Sequence, residues 1–391
     1  VPFPALRFAT GGDLSAVTCP PYDVIEPEDR AALVAADPHN AVRLILPDRY
    51  EDADRTFRAW RADGTVLADR TPTFSLYRMH FTDHTDRPRV TTGVIGALAL
   101  DRDAVLPHER TLPKAKSDRL ELLRATRANF EPIWGLSLAP GLSEILRPEG
   151  SPTAVASDHG ARHELFRVDD ATRIADIHRL VSGARLVLAD GHHRFETACA
   201  YRDERGPVDR GAASIMMLVV ELAPDELCVR AIHRLLTGVG DASIRDALAG
   251  AFTVRDLGAN DPDRLAALEA AMAREGALGL VDAAGLALLV PTAELATRMT
   301  ALPEPLRDVD AARFAAGVLP ALPGASLAYR DDAAAVAAAV AKGNAEAAVL
   351  LRPVGVDAIR AAADAGVRMP EKTTFFAPKP RTGMVFRDLD A

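Results

Sequence analysis

Short apolar segments alternate with amphipathic ones along most of this sequence, and this alternation limits the folds that the chain can adopt. Apolar runs of strand length precede stretches in which apolar residues recur every three or four positions, as they do in helices. The pattern favours an α/β or α+β fold over an all-α or all-β one. The predicted strands are Val42–Leu46, Phe74–Phe81, Val90–Leu100, Ile133–Leu138, Arg185–Ala189 and Ser214–Leu222, and the predicted helices are Asp52–Arg61, Ser117–Ala128, Ala171–Leu180, Asp263–Arg274 and Ala333–Lys342.

Length and composition indicate more than one domain. A chain of 391 residues is long enough for two or three domains of ordinary size. Hydrophobic residues make up 48% and charged residues 26%, a balance that supports a buried core and excludes a disordered chain. The formal net charge of −9 argues against a nucleic-acid or polybasic membrane binder. We therefore expect neither nucleic acid nor a membrane among the partners.

Cysteine usage predicts a reducing compartment. Cys19, Cys199 and Cys228 lie far apart and have neither the spacing of a zinc site nor that of a disulfide framework. The sequence shows no signal-peptide pattern and no apolar window of about 20 residues. These features predict a cytoplasmic protein.

The texture of the sequence divides the chain into three regions. After about Thr237 the predicted helices become rich in alanine, and few candidate catalytic groups occur. We predict a catalytic region over residues 1–237 and a second, Ala-rich α/β domain over residues 238–368, a candidate scaffold or dimerisation element. A homodimer is therefore one expected assembly. Residues 369–391 combine prolines, lysines and phenylalanines, so we expect this C-terminal segment to pack back onto the catalytic region.

The sharpest local pattern is Ala189–Arg194, where an apolar strand runs through Asp190 and Gly191 into a helix. The first turn of a helix presents unpaired N–H groups and the positive end of the dipole, and both favour phosphate. Arg194 adds a planar set of donors that suits phosphate oxygens, and Asp190 could hold a divalent cation that accompanies a nucleotide. The alternative is an ordinary strand-to-helix turn that Asp190 caps.

A basic segment leads into one of the predicted helices. Between Pro107 and Arg127, six basic residues outnumber three acidic ones, which gives +3 in a chain of net charge −9. This excess predicts an anionic ligand. A solvated amphipathic helix with i,i+4 ion pairs explains part of the pattern. It explains less well the position of Glu109, which lies in a loop between two prolines and beside His108.

Weaker patterns nominate further residues that either contact a ligand or serve the structure alone. One is the stiff, proline-containing turn Pro20–Ile25. Others are basic residues on a predicted strand or at a strand end, and the lysines of the C-terminal segment. The residues that these patterns nominate for substrate binding are Asp23, Arg43, His233, Arg234, Lys372 and Lys379.

Several separate blocks, in order along the chain, resemble the bacterial family known as domain of unknown function 1015. The resemblance extends from end to end, and it implies no function. The matching blocks are Pro20–Ile25, Leu106–Asn129, Ala189–Arg194, His233–Arg234 and Met369–Gly383.

A second resemblance covers Leu106–Tyr201, which is similar to the ParB/sulfiredoxin superfamily and especially to its free-serine kinases. The similar pieces are the stretch Pro107–Glu109, the helix from Ser117, Pro132-Ile133 and the turn Asp190–Arg194. The resemblance implies a ParB/sulfiredoxin-like catalytic region with a mixed sheet. It also implies that Glu109 is the base toward a substrate hydroxyl and that the Asp-Gly-His turn binds nucleotide phosphates with a metal ion. The chain departs from the compact module by an insertion such as Pro140–Ser182.

These observations lead to one main hypothesis and two alternatives. The main one is a nucleotide-dependent kinase that phosphorylates the hydroxyl of a small metabolite such as free serine, using Mg²⁺ with ATP or ADP, or with CTP. The first alternative is a metal-dependent hydrolase, since His108, Glu109, Asp190, His192, His193 and His233 include enough metal-binding groups. The second is a nucleotide-binding switch without enzymatic activity. The predicted catalytic residues are Glu109, His108 and Asp190, the last also as metal ligand, and the predicted nucleotide-phosphate residues are Gly191, His192, His193, Arg194, Arg110, Lys114 and Lys116.

Overall fold

A computed structural model describes residues 1–83, 85–109, 116–158, 160–240 and 243–391, without the side chains of residues 116 and 117. Its internal contacts divide these residues into two units. Unit 1 comprises residues 1–107, 116–228 and 378–391, and unit 2 comprises residues 108–109 and 229–377. The predicted divisions fall after residues 237 and 368, whereas the chain leaves unit 1 after Cys228 and returns to it at Pro378.

Unit 1 is built from strands and helices that alternate along the chain. Its strands are β1 (Leu6–Phe8), β2 (Gly12–Asp13), β3 (Val66–Ala68), β4 (Phe74–Thr82), β5 (Pro88–Ala99), β6 (Val105–Pro107), β7 (Ala128–Asn129), β8 (Ile133–Ser137), β9 (Ala154–Asp158), β10 (Ala161–Val168), β11 (Leu186–Asp190) and β12 (Ser214–Glu221). Its helices are α1 (Pro27–Ala36), α2 (Val42–Ile45), α3 (Tyr50–Ala62), α4 (Lys116–Thr126), α5 (Leu142–Ile145), α6 (Ala171–Ser182) and α7 (His192–Arg205).

The main sheet of unit 1 is mixed, and its strand order in the described residues is β2-β9-β10-β4-β5-β12-β8-β11-β6. β8 pairs with β12 in parallel and with β11 in antiparallel orientation. The register between β8 and β11 shifts between Leu188 and Asp190, so that Asp190 lies opposite Trp134. Such an irregularity re-aims the side chain at a strand end. It therefore helps to set the direction of Asp190, the residue that precedes the turn into α7.

One hydrophobic core of unit 1 joins this sheet to its helices. Ile133 and Leu188 from the sheet pack with Ile177 of α6 and with Phe195 and Cys199 of α7, and all five are buried. Burial of a side chain of this size contributes about 1.5–3 kcal/mol. The apolar side of α7 is thus fixed against the strands, and its first turn is held at the end of β11.

The C-terminal segment is anchored in unit 1 by aromatic packing. The ring of Phe386 lies 5.8 Å from that of Phe57, 5.5 Å from that of Phe8 and 6.0 Å from that of Phe130. A short strand, Arg387–Asp388, pairs with β7. Edge-to-face aromatic contacts of this kind add about 0.5–1.5 kcal/mol each to the area that they bury. The later part of the segment, residues 378–391, is consequently packed into unit 1, and residues 369–377 belong to unit 2.

Unit 2 contains an antiparallel sheet covered by helices. In the described residues the strand order is β15-β17-β16-β19-β14-β18, and β13 and β20 form a separate two-stranded sheet. Its strands are β13 (Cys228–Arg230), β14 (His233–Thr237), β15 (Phe252–Gly258), β16 (Leu278–Asp282), β17 (Gly285–Pro291), β18 (Ser326–Arg330), β19 (Ala347–Leu350) and β20 (Phe375–Ala377). Its helices are α8 (Ile244–Leu248), α9 (Pro262–Glu275), α10 (Ala293–Met299), α11 (Asp310–Gly317), α12 (Ala333–Ala341) and α13 (Val356–Asp364).

The predicted α/β class is confirmed, and one predicted strand is wrong. Val42–Leu46 was expected to be a strand, but Val42–Ile45 is the short helix α2. Val42, Leu44 and Ile45 are all buried, and a short apolar run buried on several sides shows neither the strand nor the helix period. The local cause lies just upstream, where Asn40 accepts the N–H of Val42 through its side-chain oxygen at 3.0 Å and starts the turn.

No helix in the described ranges is both long enough and apolar enough to span a bilayer.

Candidate functional site

The turn between β11 and α7 depends on Gly191. Its φ of +87° is left-handed, and a Cβ built there would lie 2.6 Å from Cγ2 of Ile133. Only glycine adopts this conformation without strain and leaves room for the β8 side chain. Gly191 is the N-cap of α7 and has no side chain that could cap the helix. The first turn of the helix carries the positive end of its dipole, which favours an anion.

Arg194 lies in that first turn and binds two carboxylates. It donates to Oδ2 of Asp190 at 2.9 Å and to Oε2 of Glu131 at 3.2 Å. Its side chain is 11% exposed. Burial alone would lower the pKa of Arg194, but Glu131 and Asp190 more than compensate and raise it. Arg194 is thus a permanent cation held in one orientation.

Lys379 brings a second cation to Asp190 from the C-terminal segment. Its Nζ lies 2.6 Å from Oδ1 of Asp190 and 3.5 Å from Oδ2 of Asp23. Burial of Asp190 would raise the pKa of its carboxyl group, but Lys379 and Arg194 outweigh burial and hold it well below the usual range. Asp190 is therefore ionised and sits between two cations.

Glu131 connects Arg194 to two other parts of the chain. One oxygen, Oε1, accepts the backbone N–H of Tyr22 at 2.9 Å and the hydroxyl of Thr382 at 3.0 Å, while the other accepts from Arg194. The Tyr22 ring in turn stacks under the guanidinium of Arg119, 4.3 Å from its centroid. We call Asp23, Glu131, Asp190, Arg194 and Lys379 the Asp190 cluster. All five belong to unit 1.

Four members of this cluster are among the residues predicted from the sequence, and Glu131 is not. That residue is a single acidic side chain within an apolar turn, and its partners Tyr22 and Thr382 are 109 and 251 residues away. The only local signal was the acidic group itself between Phe130 and Pro132, in a segment that is otherwise apolar.

Magnesium would have to compete for Asp190. Its Oδ1 is engaged by Lys379 and its Oδ2 by Arg194. A Mg²⁺ ion coordinated by this carboxylate would share an oxygen with Lys379 or Arg194, or replace one of them. Within the described residues, no group of three or more His, Cys, Asp or Glu side chains has the arrangement of a metal site. A metal-binding role for Asp190 stays a prediction.

Glu109 and His108 lie in unit 2. Glu109 accepts the backbone N–H of Thr373 through Oε2 at 3.2 Å, and Nε2 of His108 lies 2.7 Å from Oγ1 of Thr374. The backbone of His108 accepts the N–H of Met369 at 2.8 Å. The predicted base is thus held against residues 369–374, a segment that the sequence analysis had singled out.

Two other predicted substrate residues, His233 and Arg234, are buried in unit 2. The Arg234 guanidinium lies 5.6 and 5.4 Å from the ring centroids of Phe314 and Tyr329, and it donates to the backbone oxygens of Ile232 and Glu371. Burial lowers its pKa to about 10. His233 accepts the N–H of Leu351 through Nδ1 at 3.2 Å.

The remaining predicted residues are distributed as follows. Arg43 lies on α2 and donates to the backbone oxygen of Val34 at 2.9 Å. His192 is buried and His193 half-buried at the start of α7, next to the Asp190 cluster in sequence, and Lys372 is exposed in unit 2. Outside the described residues lie Arg110 and Lys114, and the side chain of Lys116.

The chain belongs to a protein family. A family model described as protein of unknown function, DUF1015, matches residues 1–312, and the chain is a member of that family. The membership predicted from the motif blocks is thereby confirmed. No curated protein matches the sequence.

Three solved structures are distantly similar to this chain. A conserved hypothetical protein from Pyrococcus furiosus is 14% identical with a TM-score of 0.40, over 77% of this chain and 97% of that chain. A free serine kinase in complex with AMP is 14% identical with a TM-score of 0.39, over 73% of this chain and 87% of that chain. SbnI from Staphylococcus aureus, truncated at its C-terminus, is 12% identical with a TM-score of 0.37, over 74% and 85%.

Gly191→Ala should destabilise unit 1 more than the same change at Gly141, the residue before α5. Gly141 has a similar left-handed conformation, with φ +86° and ψ +5°, but nothing lies within 4 Å of its missing Cβ. Gly141→Ala should therefore lose only the backbone term, roughly 1–2 kcal/mol. Gly191→Ala adds overpacking against the buried Ile133, a further ~1–3 kcal/mol. Chemical denaturation of both variants measures the difference, and equal losses would contradict the tight fit at Gly191.

His233 should make stability depend on pH. Burial, with the charge of Arg234 second, lowers its pKa to about 4 from the ordinary 6.5. Below pH 6.5 His233 becomes protonated in the unfolded chain, whereas in the folded chain it becomes protonated only near pH 4. Stability should consequently fall as the pH drops through this window, by up to about 3 kcal/mol.

The matched variant for this test is His233→Asn, which keeps an acceptor for the Leu351 N–H and removes the titrating group. The difference in unfolding free energy between the parent and this variant should change between pH 6.5 and 4.5. His178→Asn, at an exposed histidine, is the control. A pH-independent difference for His233→Asn would show that His233 titrates normally.

Proposed function

We propose that this protein is a nucleotide-dependent phosphotransferase that phosphorylates the hydroxyl group of a small metabolite. The observation that carries the proposal is the Asp190 cluster at the start of α7. There the side chains of Arg194 and Lys379 lie 2.9 and 2.6 Å from the two oxygens of one half-buried carboxylate, beside the first turn of a 14-residue helix. Two fixed cations and a helix N-terminus together are suited to nucleotide phosphates.

Charge compensation by Asp190 supports this function. A pair of buried cations without a counter-ion would repel each other and be costly to desolvate. Asp190 and Glu131 remove that cost and fix the direction of Arg194 and Lys379 before a ligand binds. Preorganised cations stabilise the charge that develops on a transferring phosphoryl group without reorganising during the reaction.

The chemical step then needs a base. The hydroxyl oxygen of the substrate forms a bond to the terminal phosphorus of the nucleotide, and the bond from that phosphorus to the leaving nucleotide oxygen breaks. The hydroxyl proton passes to the base. Glu109 is the proposed base because of the sequence resemblance to free-serine kinases, and this role stays a prediction. Free serine as the substrate, and ATP, ADP or CTP as the donor, rest on the same resemblance.

The test of this function is a phosphoryl-transfer screen of hydroxylated metabolites, including serine, with ATP, ADP and CTP, each with and without Mg²⁺, read by ³¹P NMR. We expect one hydroxyl acceptor to yield a phosphomonoester while the donor loses one phosphate. Nucleotide binding without transfer to any acceptor would overturn the enzymatic proposal and favour the switch. Hydrolysis without an acceptor would favour a hydrolase.

In the same assay, Glu109→Gln should lower turnover by on the order of 10²- to 10⁴-fold and leave nucleotide affinity unchanged, because only the proton acceptor is lost. Glu346→Gln is the control, since Glu346 also lies in unit 2 and accepts the backbone N–H groups of Gly238 and Val239. Near-normal turnover of Glu109→Gln would remove this residue from the mechanism.

Lys379→Met should weaken nucleotide binding by roughly 10- to 150-fold, the range of a charge-assisted hydrogen bond of about 1.5–3 kcal/mol. Lys342→Met, at an exposed lysine of unit 2, should bind as the parent does. Calorimetric titration with ADP and ATP measures both affinities, and circular dichroism checks the folding of each variant. An unchanged affinity in folded Lys379→Met would remove the ammonium from the phosphate site.

A further inference from the structure

Arg381, two positions after Lys379 in the chain, is the centre of a second group of polar residues. The guanidinium of Arg381, only 4% exposed, donates to Oγ1 and to the backbone oxygen of Thr18, each at 2.8 Å, and it pairs with the carboxylate of Asp158. Its backbone N–H donates to the hydroxyl of Tyr77 at 2.9 Å. Arg381 is thus held by both its side chain and its main chain.

The partners of Arg381 also contact each other. The Tyr77 hydroxyl lies 2.9 Å from Nδ1 of His163 and is hydrogen-bonded to it; Nε2 of His163 lies 3.5 Å from Oδ1 of Asp158, an ion-pair distance without a hydrogen bond. Tyr77, Asp158, His163 and Arg381 therefore close a ring, which we call the Arg381 ring. Three of its members stand on the adjacent strands β4, β9 and β10 of one sheet. The ring ties the C-terminal segment to a rigid surface.

Stability alone does not account for such a ring. Buried polar networks cost desolvation that apolar side chains would avoid, and they add uniqueness of geometry more readily than stability. The C-terminal segment is already anchored by the packing of the Phe386 side chain and by the pairing of Arg387–Asp388 with β7. What the ring fixes in addition is the exact placement of residues just before that anchor.

The position of Lys379 depends on the Arg381 ring. It stands between Pro378 and Pro380, which restrict the backbone on either side. With Arg381 clamped, little freedom remains in the main chain that carries the ammonium. The four-carbon side chain of Lys379 still has several rotamers. A shift of its ammonium by about 1 Å would weaken a charge-assisted contact and lower the reaction rate of a preorganised site.

We propose that Arg381 and its ring are positioning residues that hold the Lys379 ammonium between Asp190 and Asp23. The inference rests on the proposed function only for its consequence for nucleotide binding. The placement of Lys379 is a property of unit 1 and can be measured without any nucleotide.

The experiment uses the small number of lysines in the chain. There are five, at positions 114, 116, 342, 372 and 379. In the full-length protein, acetylation by acetic anhydride followed by peptide mass spectrometry gives the rate at each lysine as a function of pH. Lys342 and Lys372 are exposed and serve as internal references. In the parent, Lys379 should react slowly, because Asp190 and Asp23 outweigh burial and raise its pKa.

Two variants loosen the ring in different ways. Arg381→Lys keeps the charge and loses the fork that reaches Thr18 and Asp158, and Tyr77→Phe removes one hydroxyl from a side chain of the same shape. In both we expect Lys379 to react at least about tenfold faster relative to Lys342, with its pH profile moved toward that of an ordinary lysine. Arg387→Lys is the control. It alters another buried arginine of the same segment, which binds Asn129 and Ser214, and it should leave Lys379 slow.

The outcomes separate this inference from the proposed function. An unchanged Lys379 rate in folded Tyr77→Phe overturns the inference, and so does an equal increase in Arg387→Lys. Faster acetylation in both ring variants supports it, even if the parent binds no nucleotide, in which case the proposed function alone fails. If the parent binds ADP, calorimetry should show at least about tenfold weaker binding to the ring variants. Tyr77→Phe decides the matter if Arg381→Lys does not fold.

Discussion

One desolvated carboxylate, that of Asp190, sets the charge arrangement of the site. Each of its oxygens binds a different cation, Lys379 on one side and Arg194 on the other. Arg194 also binds Glu131, whose second oxygen holds the backbone of Tyr22 and the hydroxyl of Thr382. Ionisation of Asp190 thus connects the turn before α7 to the Tyr22 turn and to the C-terminal segment. Neutralising Asp190 would remove the one carboxylate that binds both cations, and would leave Arg194 with Glu131 and Lys379 with Asp23.

The secondary structure around the site could be predicted because local periodicity determines it. The strand that ends at Asp190 and the helix that follows were both expected, as were β4, β5 and α6. The prediction failed at Val42–Leu46, where burial on several sides removed the period and the side chain of Asn40 started a helical turn. Short apolar runs are ambiguous for this physical reason.

The residues of the site could be predicted only where a local sequence pattern marks them. Asp190 and Arg194 share one turn, and Lys379 stands between prolines. Glu131 and the Arg381 ring depend on partners that only the sheet register brings together. Tyr77 lies in a predicted strand and His163 in a segment for which no strand was predicted, and nothing in their neighbourhood indicates that they face each other or Arg381. Long-range polar pairing therefore marks the limit of inference from a single sequence.

The pairing of β13 with β20 has a consequence for the order of folding. Asp190 and Lys379 are 189 residues apart, and most of the chain between them belongs to unit 2. Because β13 and β20 stand at the two ends of the long segment of unit 2, its folding brings those ends together. The loop that unit 1 must close then shrinks from 189 residues to roughly 40, which lowers the entropic cost by about 1.4 kcal/mol. A unit 2 that has already folded therefore makes it easier for unit 1 to bring Lys379 to Asp190.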